Sequence, residues 1–144
     1  MSSISPAVSA EARPSRALHI SLWCVQVLLG AMFLMAGSTK GLQPMEALAA
    51  QMPWTAEVGA GLTRFIGYSE LLGGLGLILP ALLRIRPRLT ALAAAGLVVV
   101  MVLAAIFHIT RGEFGGVGFN AILGGLAAFV AWGRFKKAPI TPRG

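Results

Sequence analysis

Residues 89–109 read LTALAAAGLVVVMVLAAIFHI and contain no Lys, Arg, Asp or Glu. A helix of about 20 apolar residues crosses the hydrocarbon core of a bilayer, so this segment predicts a transmembrane helix. Arg88 precedes it and Arg111 follows it, which are the positions where a span leaves the hydrocarbon. The whole chain is 56% apolar and only 12% charged, whereas soluble domains carry roughly 25% charged residues.

Three more apolar runs accompany this segment, and they cover residues 18–36, 65–83 and 114–132. Four spans and their short connections occupy most of the 144 residues. The sequence therefore predicts an all-α protein, an integral membrane four-helix bundle that forms a single domain over residues 16–134.

The two ends of the chain differ from this domain in composition. Residues 1–15 are rich in Ser, Ala and Pro and predict a disordered tail. Residues 135–144 predict a basic C-terminal tail. Most Lys and Arg residues flank the termini or the loop at 84–88, and such residues favour the cytoplasmic side of a membrane. We therefore expect both termini in the cytoplasm and a bacterial-type inner membrane, and we attribute the net charge of +7 to orientation and not to nucleic-acid binding.

The first outer loop is the longest connection and has a helical pattern of its own. Met45, Leu48, Ala49 and Met52 recur at helical spacing after Pro44, which predicts a short helix lying in the membrane interface. Trp54 would anchor it there. A lid over the bundle and a simple connector both agree with this pattern.

Several polar residues interrupt the apolar runs, mostly in the outer leaflet. Glu70 lies inside the second span, where a charge costs at least about 2.5 kcal/mol. Lys40 ends the first span, His108 lies late in the third, and Asn120 lies early in the fourth. We expect a polar pocket that opens toward the outer leaflet. The candidate ligand-binding residues are Lys40, Tyr68, Glu70, His108, Asn120 and Gln26, and the candidate catalytic pair is Glu70 with His108.

Small residues share helix faces with these polar side chains. Gly37 lies one turn before Lys40, and Gly67 and Gly74 flank Glu70 on one face. Small residues mark close helix packing in membranes, so the polar groups should point into the bundle. In the inner half we expect only Gln26 at mid-depth and no buried charge.

Two stretches also carry a family resemblance. Residues 36–40 read AGSTK and residues 65–80 read FIGYSELLGGLGLILP. Together with the late His108 and early Asn120, they resemble the DoxX-like membrane proteins over roughly residues 17–134. The resemblance implies a compact four-helix membrane bundle. It also implies a link to membrane redox work, since named relatives are subunits associated with thiosulfate–quinone oxidoreduction or superoxide detoxification.

The chain departs from relatives that use cysteine pairs, because Cys24 is its single cysteine and an intrachain dithiol cannot form. His19 and His108 lie far apart and show no metal-ligand spacing, so we expect no metal site.

Three functions remain open from the sequence. The pocket could bind a lipophilic, quinone-like molecule without an intrinsic cofactor, and so assist an oxidoreductase subunit. Glu70 and His108 could instead make the chain a cofactor-free isomerase or hydratase/hydrolase of a lipophilic substrate by acid–base chemistry. The chain could also be a structural subunit of a larger membrane complex or a homo-oligomer.

Overall fold

The computed structural model describes residues 15–143, which are almost entirely helical. The predicted tail at residues 1–15 therefore lies, except for Ser15, outside the described residues. The helices are α1 (Arg16–Leu42), α2 (Met45–Gln51), α3 (Trp54–Leu83), α4 (Arg88–Thr110) and α5 (Phe114–Trp132), and α5 continues into a π-helical turn (Gly133–Lys137).

Four of these helices are long and apolar enough to cross a membrane, namely α1, α3, α4 and α5 with its π-helical turn. The four predicted spans are thereby confirmed. Large apolar side chains such as Leu72 and Phe114 point outward and are more than two-thirds exposed. Lipid is the solvent that such a surface requires, so the chain is a multi-pass membrane protein in contact with a bilayer.

The bundle has two ends, which we name by what they contain. The loop end holds residues 43–53 and 111–113, and the terminal end holds the start of α1, residues 84–87 and the C-terminal segment. The prediction that the terminal end faces the cytoplasm, in an inner membrane, stays a prediction.

The helices pack in chain order around one core. α1 packs on α3, α3 on α4, and α4 on α5, whereas α1 and α5 touch each other sparingly. The core between them includes Leu29, Phe33, Leu77, Leu97 and Leu123. The two best-packed pairs are thus α1 with α3 and α4 with α5, and the seam between α1 and α5 is the loosest in the ring.

Glycines bring α1 and α3 into backbone contact. A Cβ atom added to Gly37 would lie 2.6 Å from the carbonyl oxygen of Gly67 and 2.6 Å from the backbone nitrogen of Leu71. A Cβ atom on Gly67 would lie 2.5 Å from the backbone nitrogen of Gly41. No larger residue fits at this crossing, and the crossing places the end of α1 beside the middle of α3.

The helix α3 is longer than the predicted second span, because it begins at Trp54 and not near residue 65. Gly59 interrupts the helix with φ 84° and ψ 172°, a backbone conformation that residues other than glycine rarely adopt. Trp54, Val58 and Leu62 follow one another at helical spacing, and all three line a cavity between α3 and α4. This segment reads as a polar loop in sequence because Glu57 and Arg64 lie among its apolar residues.

The connection between α1 and α3 contains the predicted short helix, α2, with Pro44 at its N-cap. Leu48 is the buried residue of α2. The position of α2 in the membrane interface stays a prediction.

Candidate functional site

The centre of the site is an ion pair between α1 and α3. Lys40 Nζ donates to both carboxylate oxygens of Glu70, at 3.0 Å and 2.8 Å. The side chains are 14% and 4% exposed, respectively. Lys40 thus neutralises the intramembrane carboxylate, and an ammonium carries a third N–H for which no acceptor is seen among residues 15–143.

The C-terminus of α1 is held by two side chains of α3. Arg64 Nη1 donates to the carbonyl oxygen of Lys40 at 2.9 Å, and Tyr68 Oη donates to that of Gly41 at 3.3 Å. The last carbonyls of a helix lack intrahelical partners, so both residues cap α1 and fix the position of Lys40. Tyr68 is half-exposed and does not line the cavity described next.

A cavity of about 500 Å³ opens beside the ion pair, in the seam between α3 and α4. Its walls are mostly apolar and aromatic, including Trp54, Phe65 and Phe107. Its polar lining residues are Lys40, Ser69, Glu70, His108 and Asn120. The structure therefore brings four of the six sequence-predicted residues to one cavity.

Asn120 is the unsatisfied member of this group. The residue is 7% exposed, and its Nδ2 has no hydrogen-bond partner within the described chain. A buried donor without an acceptor costs about 1–3 kcal/mol. Asn120 lines the cavity, so a ligand acceptor atom that reached Nδ2 from the cavity would remove that cost.

His108 lines the cavity near the loop end and is bonded to the α4–α5 loop. Its Nδ1 lies 2.6 Å from Glu113 Oε2. Arg111 Nε donates to Glu113 Oε1 at 3.0 Å, and Arg111 also pairs with Glu57 of α3. Hydrogen bonds from His108 and then from Arg111 lower the pKa of Glu113 below its ordinary value of 4.5. This ion network connects the start of α3 to the end of α4. In the sequence only its charges are visible, with Glu57 far from Arg111 and Glu113, which share one loop.

Aromatic packing supports the same wall. The ring of Trp54 meets that of Phe107 edge-on, with centroids 5.9 Å apart, and the guanidinium of Arg111 lies 5.6 Å from the Phe107 ring centroid. The predicted interfacial anchor Trp54 thus forms part of the cavity wall.

A second, smaller cavity of about 200 Å³ lies between α1 and α5. Met32, Met35 and Ala36 line it from α1, and Phe119 and Leu123 line it from α5. We call this cavity the groove. Its polar lining residues are Lys40, Glu70 and Asn120, so it reaches the ion pair from the side opposite to the main cavity.

Gln26 does not join the site, because it takes part in a separate network nearer the terminal end. Its Nε2 donates to the carbonyl oxygen of Leu77 at 2.8 Å. Gln26 Oε1 accepts from Arg134 Nε at 2.6 Å.

Arg134 corrects the expectation that the inner half holds no buried charge. The residue is 4% exposed, and its Nη1 also lies 3.1 Å from His19 Nδ1 and 2.9 Å from the carbonyl oxygen of Ala138. The physical reason is the π-helical turn after Trp132, which extends α5 and places Arg134 against α1. The sequence suggested only a basic residue closing the last span.

The arrangement can hold an apolar molecule with a polar head. Two residues with side-chain donors, Lys40 and Asn120, line both cavities, and the His108 imidazole, bonded to Glu113, lines the main cavity. Among residues 15–143, no group of three or more His, Cys, Asp or Glu side chains is placed to hold a metal ion.

Comparison with known proteins places the chain in a family. No curated protein and no solved structure is similar enough to the chain to count as a match. The model of the DoxX-like family matches residues 24–130, which include α3 and α4 entirely and most of α1 and α5. The match includes Lys40, Glu70, His108 and Asn120, and on this basis the chain belongs to the DoxX-like family.

Proposed function

We propose that the main cavity binds a lipophilic molecule whose head carries an oxygen acceptor, a quinone being the natural candidate. The observation that carries the proposal is the buried Asn120 Nδ2, which has no hydrogen-bond partner among residues 15–143, on a residue that lines a mostly apolar cavity. A volume of about 500 Å³ falls within the roughly 300–1,000 Å³ of ordinary ligand sites.

The chemistry of the lining supports an oxygen acceptor. Asn120 Nδ2 and the third N–H of Lys40 are donors, and a quinone carbonyl accepts hydrogen bonds without carrying charge. Glu70 already balances the charge of Lys40, so the site favours a neutral head over an anionic one. Electron transfer would belong to a partner oxidoreductase, since the chain has only one cysteine and no intrachain dithiol is available to it.

The test uses a quinone as a fluorescence quencher. Trp54 lines the cavity, so a short benzoquinone without a tail should quench its emission on binding to purified protein in detergent. Trp54→Phe identifies the part of the quenching that comes from the cavity. Lipophilic compounds that co-purify with each variant are identified by mass spectrometry.

Asn120→Leu is the decisive variant, because it removes the Nδ2 donor and replaces the amide with an apolar side chain of similar size. We expect about tenfold weaker quinone binding, equivalent to one hydrogen bond of about 1.4 kcal/mol. The same change should raise the thermal midpoint of the ligand-free protein, since it removes an unsatisfied buried group. A purely structural role for Asn120 would not combine weaker binding with higher stability.

Thr90→Val is the matched control. Thr90 Oγ1 is also buried and unpartnered but borders neither cavity, so its removal should leave binding unchanged. Quinone binding equal in wild type and Asn120→Leu, or no binding to wild type, would refute the proposal. A co-purifying protein with no bound small molecule would favour the structural-subunit alternative.

One observation favours a second candidate, an acid–base enzyme. Glu113 holds the Nδ1 side of the His108 imidazole at the cavity wall, and a carboxylate in this position orients a histidine for general acid–base catalysis. Under this alternative, His108→Gln retains ligand binding but abolishes conversion of a lipophilic substrate. Unchanged conversion in that variant would eliminate His108 as the catalytic group.

A further inference from the structure

The main cavity and the groove lie on either side of the same residues, which include the ion pair. Both are lined by Lys40, Glu70, Met101, Phe119 and Asn120. The polar residues therefore lie between two mostly apolar spaces and border both of them.

The two spaces open on opposite sides of the bundle. The helices are arranged in the order α1, α3, α4, α5, so the seam that holds the main cavity, α3 with α4, faces away from the seam between α5 and α1. The groove lies in that second seam, where the helices touch least. Met35 and Phe119 at its border are 69% and 55% exposed, and in a bilayer this exposed surface faces lipid.

We infer that the ligand carries a long apolar tail, and that the tail leaves the main cavity past Lys40 and Asn120 and runs through the groove to the lipid. The inference rests on the proposed function, because it assumes that the head occupies the main cavity. It adds the class of ligand, a tailed lipophile with one polar head.

The lining of the groove fits a flexible chain. Away from the shared polar residues it is entirely apolar, so it offers no hydrogen bonds to a second head. Met32, Met35 and Met101 line it, and the unbranched, polarisable methionine side chain adapts to irregular apolar partners. A tail in this position would also give the head a fixed orientation, since the groove and the main cavity share Lys40, Glu70 and Asn120.

The first test compares a tailless benzoquinone with the same ring bearing a ten-carbon tail, using quenching of Trp54 as the readout. Ala36 lines the groove, so Ala36→Phe should fill it. We expect this change to weaken binding of the tailed compound about tenfold, as overpacking of a filled site does, and to leave the tailless compound within about twofold of wild type. Ala31→Phe is the control, because Ala31 lies on the exposed side of α1 and borders neither cavity.

The second test needs no variant and so does not depend on how Ala36→Phe folds. A photoreactive diazirine at the tail end of the tailed quinone is cross-linked to wild-type protein, and the labelled peptides are identified by mass spectrometry. We expect labels on α1 near Met35 and on α5 near Leu123. Labels on α3 and α4 instead, or equal weakening of both quinones by Ala36→Phe, would overturn the inference while leaving the head site intact. A tailless quinone that fails to quench wild-type Trp54 would instead refute the proposed function.

Discussion

Breaking the ion pair between Lys40 and Glu70 should destabilise the bundle strongly, whereas removing both charges together should not. The two N–O distances average about 3 Å, where the attraction is about 5 kcal/mol at an effective dielectric constant of about 20. Taking each ion out of water costs several kcal/mol. The pair therefore contributes little net stability, but either charge left alone is costly.

The expected magnitude follows from burial. Removing one partner of a buried pair costs about 3–5 kcal/mol, and the partial exposure of Lys40, at 14%, places this pair near 3 kcal/mol. For a chain of this size, 3 kcal/mol corresponds to a fall of roughly 6–12 °C in the unfolding midpoint. We expect Lys40→Met and Glu70→Gln each to show such a fall.

The assay is thermal unfolding in one detergent, followed by tryptophan fluorescence, for wild type, both single variants and the double variant. The double variant should regain most of the loss and be only about 1 kcal/mol less stable than wild type, which corresponds to a coupling free energy of about 5 kcal/mol, the size of the attraction itself. Ser69→Ala is the control, because the Ser69 hydroxyl only bonds the carbonyl of Phe65 in its own helix. If the losses in unfolding free energy of the two single variants sum to that of the double variant within about 0.5 kcal/mol, the two charges do not act as a pair.

Two further predictions concern the helix crossing and the loop-end network. Gly37→Ala should cost about 1–3 kcal/mol, because its methyl group meets the α3 backbone. Gly61→Ala, with nothing within 4 Å of its added Cβ, should instead stabilise α3 in the same unfolding assay. Folding lowers the pKa of Glu113 from its ordinary value of 4.5. The ionised Glu113 carboxylate therefore stabilises the fold above pH 4.5, and this stabilisation is lost as the pH falls through the lower pKa of the folded state. The unfolding midpoint of wild type should thus exceed that of Glu113→Gln at pH 7 and approach it on acidification. A difference between the two midpoints that does not change with pH would contradict this prediction. Glu46→Gln is the control, because Glu46 is an exposed carboxylate.

The hydropathy of the sequence predicted the four spans because each run of apolar residues is long enough to cross a bilayer by itself. The small residues predicted that the polar groups point into the bundle, since Gly67 lies on the same face of α3 as Glu70 and Gly37 lies one turn before Lys40 on α1. The short helix α2 was visible for the same reason. These features depend on residues close together in the chain.

The features that sequence reasoning missed depend on distant residues or on backbone irregularities. The first turns of α3 read as a loop because Gly59 and Glu57 dilute them, although Trp54, Val58 and Leu62 keep helical spacing. Arg134 becomes buried only because a π-helical turn carries it onto α1. Gln26 was grouped with the outer polar residues by its helix face, yet its bonds to Leu77 and Arg134 depend on two other helices. No local pattern encodes those partners.

The close packing of α1 with α3 joins two membrane spans that follow one another in the chain. Lys40 enters the membrane without a counter-charge until Glu70 follows it on the next span, and Gly37 and Gly67 then let the two backbones meet. This first hairpin is electrically balanced before α4 and α5 exist. The later pair can then be inserted beside α1 and α3, and Arg134, which follows α5 in the chain, can bind Gln26 only after α5 has been made.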